Sequence, residues 1–348
     1  MKNLKRSFAC AAVAVVAVAG FALPRHIDAE YRVTNTAKVG GDGGWDYVYA
    51  DSVGRKLYIP RTGPNPRITI FDLDTLAPAG EIPKTNARGA AVDSKSHHGF
   101  SSSKPVAMWD TESMNLIKTI DVDGRPDGIL ADDFDEHVYI FSHSAPNVTV
   151  IDGKDGKVLG TIDLGGQPEQ AASDGAGHIY VDLEDKDSVA VIDSATMKVT
   201  NKFELSGKGG GPGGLALDSK NHVLFVACHE PQTMVMLDSR DGKFLASLPI
   251  GNGVDGAGFN PDTLEAFSSQ GDGTVTIIKE KSPTEFVVEQ TVKTQPGART
   301  MTVDAKTGKV FTIVAQFGPA PEPPAPAGQR PRRGPMIPGS FSIITVGK

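Results

Sequence analysis

The chain has 348 residues, with 35 Lys and Arg against 42 Asp and Glu and a formal net charge of −7. That acidic balance argues against nucleic acid, a polyanion whose binding needs clustered Lys and Arg, as a main partner. Two cysteines in the whole chain exclude a disulfide framework and a zinc site built from cysteines.

In chain order the first segment reads as a secretory signal peptide. Lys2, Lys5 and Arg6 precede an apolar stretch from Phe8 to Leu23, and a short polar segment runs on to Ala29. The apolar core is about 15 residues, short of the roughly 20 that a spanning helix needs. Cys10 follows almost no apolar run, which disfavours a lipid-anchored cysteine. Cleavage after Ala29 is expected, placing the mature chain in the periplasm or outside the cell without a transmembrane anchor. Removing residues 1–29, with four basic residues and one acidic, leaves 31 basic against 41 acidic and a charge of −10. Cys228 is then the one remaining thiol.

From residue 30 onward the chain repeats. An acidic or amide residue recurs at Asp51, Asp93, Asp132, Asp174, Asp218, Asn260 and Asp304, an interval of about 42 residues. That is the period of a four-stranded blade of a β-propeller. A second register follows it, with a short apolar run ending in Asp at Ile68–Asp72, Val106–Asp110, Val148–Asp152, Val189–Asp193 and Met234–Asp238. The sixth and seventh copies, at Val275–Lys279 and Phe341–Thr345, keep the β-rich run and lose the Asp. The prediction is an all-β, seven-bladed propeller of four-stranded antiparallel blades over residues 30–348, and the 39 Gly and 24 Pro of the whole chain agree with short strands punctuated by turns. The last blade lacks a fourth strand at the C-terminus. Tyr31–Val39 is expected to supply it, closing the ring and removing free sheet edges.

The repeat resembles that of the YVTN-repeat propellers of the YncE type. The copy that carries the likeness best is Gly124–Asp127, then His137–Ile140, then Asn147–Asp152. The likeness spans residues 31–348, with a shortened loop at Ser101–Pro105 and an insertion in blade seven as departures. It implies an exported propeller used for binding, and it implies no single reaction.

Antiparallel meandering sorts the loops by face. His97, His98, His137, His178 and His222 fall on the bottom face, where Asp, Gly, Asn and Ser serve turn geometry. Stepping back five residues from each repeat marker gives Asp46, Arg88, Asp127, Glu169, Gly213, Asp255 and Arg299. This position opens the innermost strand, so four carboxylates and two guanidiniums are expected to ring the top mouth of the central channel. A small ligand with both polar signs suits such a funnel, with Trp45 placed to stack on it, and crowded carboxylates there shift one another's pKa. A wet channel that merely tolerates charge explains the same pattern.

The top loops after each second strand place His143, Glu184 and His229 at equivalent positions in blades three, four and five. Two imidazoles and a carboxylate are a ligand set for a divalent metal, which Asp127 or Glu169 could complete. Two unrelated surface imidazoles are the plainer reading. Trp109 is expected in the core between blades. The insertion at 318–339, with eight prolines and Arg330, Arg332 and Arg333, is expected to be extended and to project from the top face as a lid, a docking arm or a tolerated loop.

No nucleophile elbow, His-Glu-x-x-His, phosphate loop or dinucleotide fingerprint occurs, so the sequence names no catalytic residue. The expectation is an exported, monomeric binding propeller that takes a small polar ligand or a protein partner in its top funnel. The competing reading is a metal-dependent hydrolase, lactonase or lyase in that same funnel, and a third is an interaction platform whose funnel is idle.

Overall fold

Seven four-stranded antiparallel sheets build the molecule, six of them running in chain order from an inner to an outer strand. The computed structural model describes residues 29–205, 207–320 and 333–348. The predicted signal peptide and the middle of the proline-rich insertion therefore lie outside the described residues. Blades one to six take their strands consecutively, the innermost being Tyr49–Asp51, Ala90–Asp93, Pro126–Asp132, Pro168–Ser173, Pro212–Asp218 and Val254–Asn260. Blade seven joins Met301–Val303, Val310–Val314 and Ser342–Gly347 to the N-terminal strand Arg32–Lys38. This is the seven-bladed propeller that the 42-residue period predicts. Apart from one turn of 3₁₀ helix at Glu184–Lys186, no helix is present among the described residues.

The repeat markers are turn residues, and their chemistry explains their spacing. Asp51 accepts hydrogen bonds from the backbone of Val53 and Gly54, Asp218 from Lys220 and Asn221, and Asp304 from Lys306. Each closes the bottom turn between the first and second strands of its blade, the short-range side-chain bonding at which Asp and Asn excel. Four residues after the marker in these turns, Arg55, His97, Glu136, His222 and Leu264 adopt the left-handed region, with φ between 52° and 61°. His97 and His222 are turn residues, as their position in the repeat suggests. The second Asp register works likewise, with Asp72, Asp152 and Asp193 accepting from Thr75, Lys154 and Thr196 in the turns leading to each fourth strand.

Hydrophobic residues alternate along the middle strands and meet their counterparts in the next blade, giving seven clusters, one at each junction. Burying a Leu, Ile, Val or Phe in such a cluster contributes about 1.5–3 kcal/mol. Trp109 is fully buried between blades one and two, its ring 5.9 Å from that of Tyr58. It pairs across the strand with Gly99, where a Cβ would come within 2.1 Å of the indole. Only glycine leaves that space.

The ring closes in two ways. Arg32–Lys38 pairs with the last strand in the register Arg32 to Gly347 through Lys38 to Ser342, so blade seven is completed to four strands like the others and its outer edge is the N-terminal strand. At the junction with blade six, Glu265 accepts from the Tyr31 hydroxyl at 2.5 Å and from the Lys348 ammonium at 2.8 Å. Residues Tyr31–Lys348 form one compact unit. Among the described residues no helix is long and apolar enough to cross a membrane.

A charged funnel at the mouth of the channel as candidate functional site

The innermost strand of every blade begins at the top of the ring, and its opening residues crowd towards one axis. Arg88 binds across two blades, with Nη1 2.5 Å from Asp46 Oδ2 and Nε 3.0 Å from Asp127 Oδ1. On the other side Arg299 Nε lies 3.1 Å from Asp255 Oδ2, which also accepts from the Thr300 hydroxyl at 2.8 Å. Every charged ring position therefore has a partner within the funnel, because Glu169 meets His143. The His143 Nε2 atom lies 3.0 Å from Asp127 Oδ2 and 3.2 Å from Glu169 Oε1.

These contacts tune the groups. The two carboxylates facing His143 raise its imidazole to about 10 against an opposing effect of burial. Burial pushes the Asp255 carboxyl up to about 7, with Arg299 and Thr300 opposing the shift and Asp46 and Glu169 adding to it. Asp46 is raised as well, by burial and by the nearby Asp127 charge, with Arg88 opposing. For Arg88, burial is outweighed by the two carboxylates it binds, which hold it above the usual arginine value. With its carboxyl pushed up to about 7, Asp255 can exchange a proton with a bound molecule near neutral pH.

One step deeper along each strand the ring position reads Tyr47, Gly89, Gly128, Gln170, Gly214, Gly256 and Thr300. Four glycines clear the channel there, and Tyr47 and Gln170 fill it. The Tyr47 hydroxyl crosses from blade one to donate to Glu169 at 2.8 Å, past Gly128, where a Cβ would lie 3.6 Å from that hydroxyl. Gln170 accepts from the backbone N–H groups of Leu215 and Ala257 at 3.1 and 3.0 Å and donates to the Ala257 carbonyl at 2.9 Å. Beneath it, fully buried Asp182 accepts from the Gln170 N–H at 2.6 Å, and burial holds its carboxyl well above the usual range. The funnel therefore has a floor. Sequence reading passed over Tyr47 and Gln170, although both stand one residue after the charged ring, where four other blades carry glycine.

The remaining sequence candidates fall in different places. Among the described residues, one group of three metal-capable side chains has its ligand atoms within 4.8 Å of one another, namely Asp127, His143 and Glu169. His229 and Glu184 lie outside it and line a separate, shallow cavity of about 720 Å³ with Asp185, Asp187 and Glu230. The His229 ring leans over blade five's ring position, Gly213, where a Cβ would lie 3.0 Å from Nε2. Trp45 stacks on Phe317 at 6.3 Å and meets Phe341 edge-on at 5.0 Å. Its indole packs at the junction of blades seven and one, and it borders a cavity of about 360 Å³ shared with Asp46, Arg88 and Arg125. Cys228 is buried, and that burial pushes its thiol up to about 12, far from a reactive thiolate. The insertion leaves and re-enters blade seven at the top, where Phe317 bridges to Met336 and Arg333 stands 5.2 Å over the Phe317 ring.

No protein-family model and no curated protein sequence matches the chain. Among solved structures it is similar to one described as a functionally unknown protein from Desulfotomaculum acetoxidans DSM 771. That likeness has a TM-score of 0.62 at 16% identity and covers 71% of this chain and 85% of that one. At that identity the fold alone is shared.

Proposed function

We propose that the protein is an exported binding propeller, with a repeat of the YVTN type, that takes a small polar ligand bearing both signs of charge in its top funnel. The observation that carries this reading is the network running from Asp46 through Arg88, Asp127 and His143 to Glu169 in an open mouth. Charged groups of both signs are presented there above the Tyr47 and Gln170 side chains. A zwitterion or hydroxy acid matches that layout, its carboxylate meeting Arg88 or Arg299 and its cationic or hydroxyl group meeting Asp255 or Asp46. Export is supported by the basic, apolar and small-residue pattern of residues 2–29.

The test is a thermal-shift and calorimetric screen of amino acids, betaines and small hydroxy acids against the chain beginning at Glu30. Wild type is compared with Arg299→Ala and Asp255→Ala. Ligand-dependent stabilisation that both variants lose is the expected result. If no compound stabilises wild type, or the variants respond as wild type does, the funnel is not the ligand site. N-terminal sequencing of the chain recovered from the cell's exported fraction checks the processing, and an intact Met1 there would refute it.

A further inference from the structure

We propose that Asp127, His143 and Glu169 form a binding site for one divalent first-row transition-metal ion, zinc or manganese in type. The three side chains come from separate places in the fold. Asp127 and Glu169 open the innermost strands of blades three and four, and His143 follows the second strand of blade three in its top loop. They meet because adjacent blades present equivalent positions side by side while the loop folds inward above them.

Three observations point to a cation. The first is spacing. Metal bonds of about 2.0–2.2 Å at angles of about 90–109° separate neighbouring ligand atoms by about 2.8–3.6 Å. The separations from His143 Nε2 to Asp127 Oδ2 and Glu169 Oε1 are 3.0 and 3.2 Å. The second is direction, because Nε2 is shielded from solvent yet is aligned for a hydrogen bond with neither carboxylate. A single N–H can point at one acceptor, whereas an ion between the three atoms serves all of them. The third is the support behind the ligands. Asp127 Oδ1 is held by Arg88 and Glu169 Oε2 by the Tyr47 hydroxyl, which leaves Oδ2 and Oε1 turned towards the imidazole. Carboxylates that ligate metals are commonly fixed in this way through their other oxygen.

The donor set chooses the class of ion. An imidazole nitrogen with two carboxylates suits zinc, manganese, iron or cobalt, whereas calcium and magnesium take oxygen ligands. Three protein ligands leave coordination positions open towards the mouth, where a carboxylate or hydroxyl of a bound molecule can reach the ion. The proposal rests on the funnel being a binding site and adds the ion to it.

The test uses the chelator-treated chain from Glu30 onward, with zinc chloride and manganese chloride titrated separately by calorimetry. Bound metal is counted by elemental analysis. One equivalent is expected at a Kd tighter than about 10 µM. His143→Ala and Glu169→Gln should each weaken it by at least the 10- to 100-fold or so that follows loss of a mere supporting partner. His229→Ala should bind as wild type does. Absence of binding, equal binding in the His143 and Glu169 variants, or loss confined to His229→Ala would overturn the site. Should His143→Ala fail to fold, NMR of folded wild type decides, since zinc must move the His143 ring signals and leave those of His229 in place. The screen of organic ligands is run without metal, so the two readings fail separately. Organic binding without any metal binding overturns the ion alone, and metal binding without any organic ligand supports it.

Discussion

Replacing Arg55 by Ala is expected to weaken the seam at which the ring closes. Arg55, in the bottom turn of blade one, reaches blade seven with Nη1 2.9 Å from Asp304 Oδ1 and Nη2 3.0 Å from Oδ2, and also binds Asp74. The Asp304 side chain is wholly buried. Burial alone would raise its carboxyl, yet hydrogen bonds from Arg55, Thr307 and Ser52 hold it at about 2 against an ordinary 3.8. A depressed folded-state value contributes stability that is present above about pH 4 and is lost as pH falls through about 2, here on the order of 2–3 kcal/mol. Removing the guanidinium leaves a buried carboxylate without its partner, a change that costs about 3–5 kcal/mol. Urea unfolding at pH 7, followed by fluorescence of Trp45 at that seam and Trp109 away from it, measures the loss. Adding Asp304→Asn to Arg55→Ala should restore part of it, since the stranded charge is then gone. A loss below about 1 kcal/mol, the value of an exposed pair, would refute this account, as would a double variant no more stable than the single.

Three further outcomes follow from the same structure. Gly99→Ala drives a Cβ to 2.1 Å from the Trp109 indole and should cost about 3 kcal/mol or more through overpacking, measured as a lowered urea midpoint; a change under about 1 kcal/mol would mean the strand yields easily. Gln170→Ala strands the Leu215 and Ala257 backbone groups in the channel and should cost about 2–4 kcal/mol, unless calorimetric unfolding shows the floor to be dispensable. Asp255 titrates at about 7 in the folded chain, above its unfolded value, so its contribution is fully present below about pH 4 and is lost as pH rises through about 7. Asp255→Asn should gain stability over wild type between pH 5 and pH 8, and parallel melting profiles of the two across that range would contradict the buried-acid reading.

The repeat was legible because its carriers act locally. Asp51, Asp218 and their counterparts bond to backbone groups two or three residues away, so turn chemistry needs no distant partner and marks every blade. The N-terminal strand was legible for a related reason, since a ring with one strand missing and one spare segment has a single closure. The charged rim could be placed by counting back from the markers. Counting could not say which rim residues touch. His143 and His229 hold equivalent positions in their blades, yet the first turns onto Asp127 and Glu169 while the second leans over Gly213. Tyr47 and Gln170 escaped notice because each is a single exception to a repeat of glycines, and a period reveals what blades share rather than where one differs.

The sequence by itself therefore determined the blade, the count of seven, the closure and the face on which charge gathers, since all of these depend on residue type at a fixed interval. Tertiary structure alone decided that Arg88 joins Asp46 to Asp127, that Asp127, His143 and Glu169 converge within 4.8 Å, and that the channel has a floor. Those are contacts between side chains of different strands and loops, well separated in the chain, fixed by how closely neighbouring blades pack and which way each loop turns, and no local propensity encodes a direction across the axis.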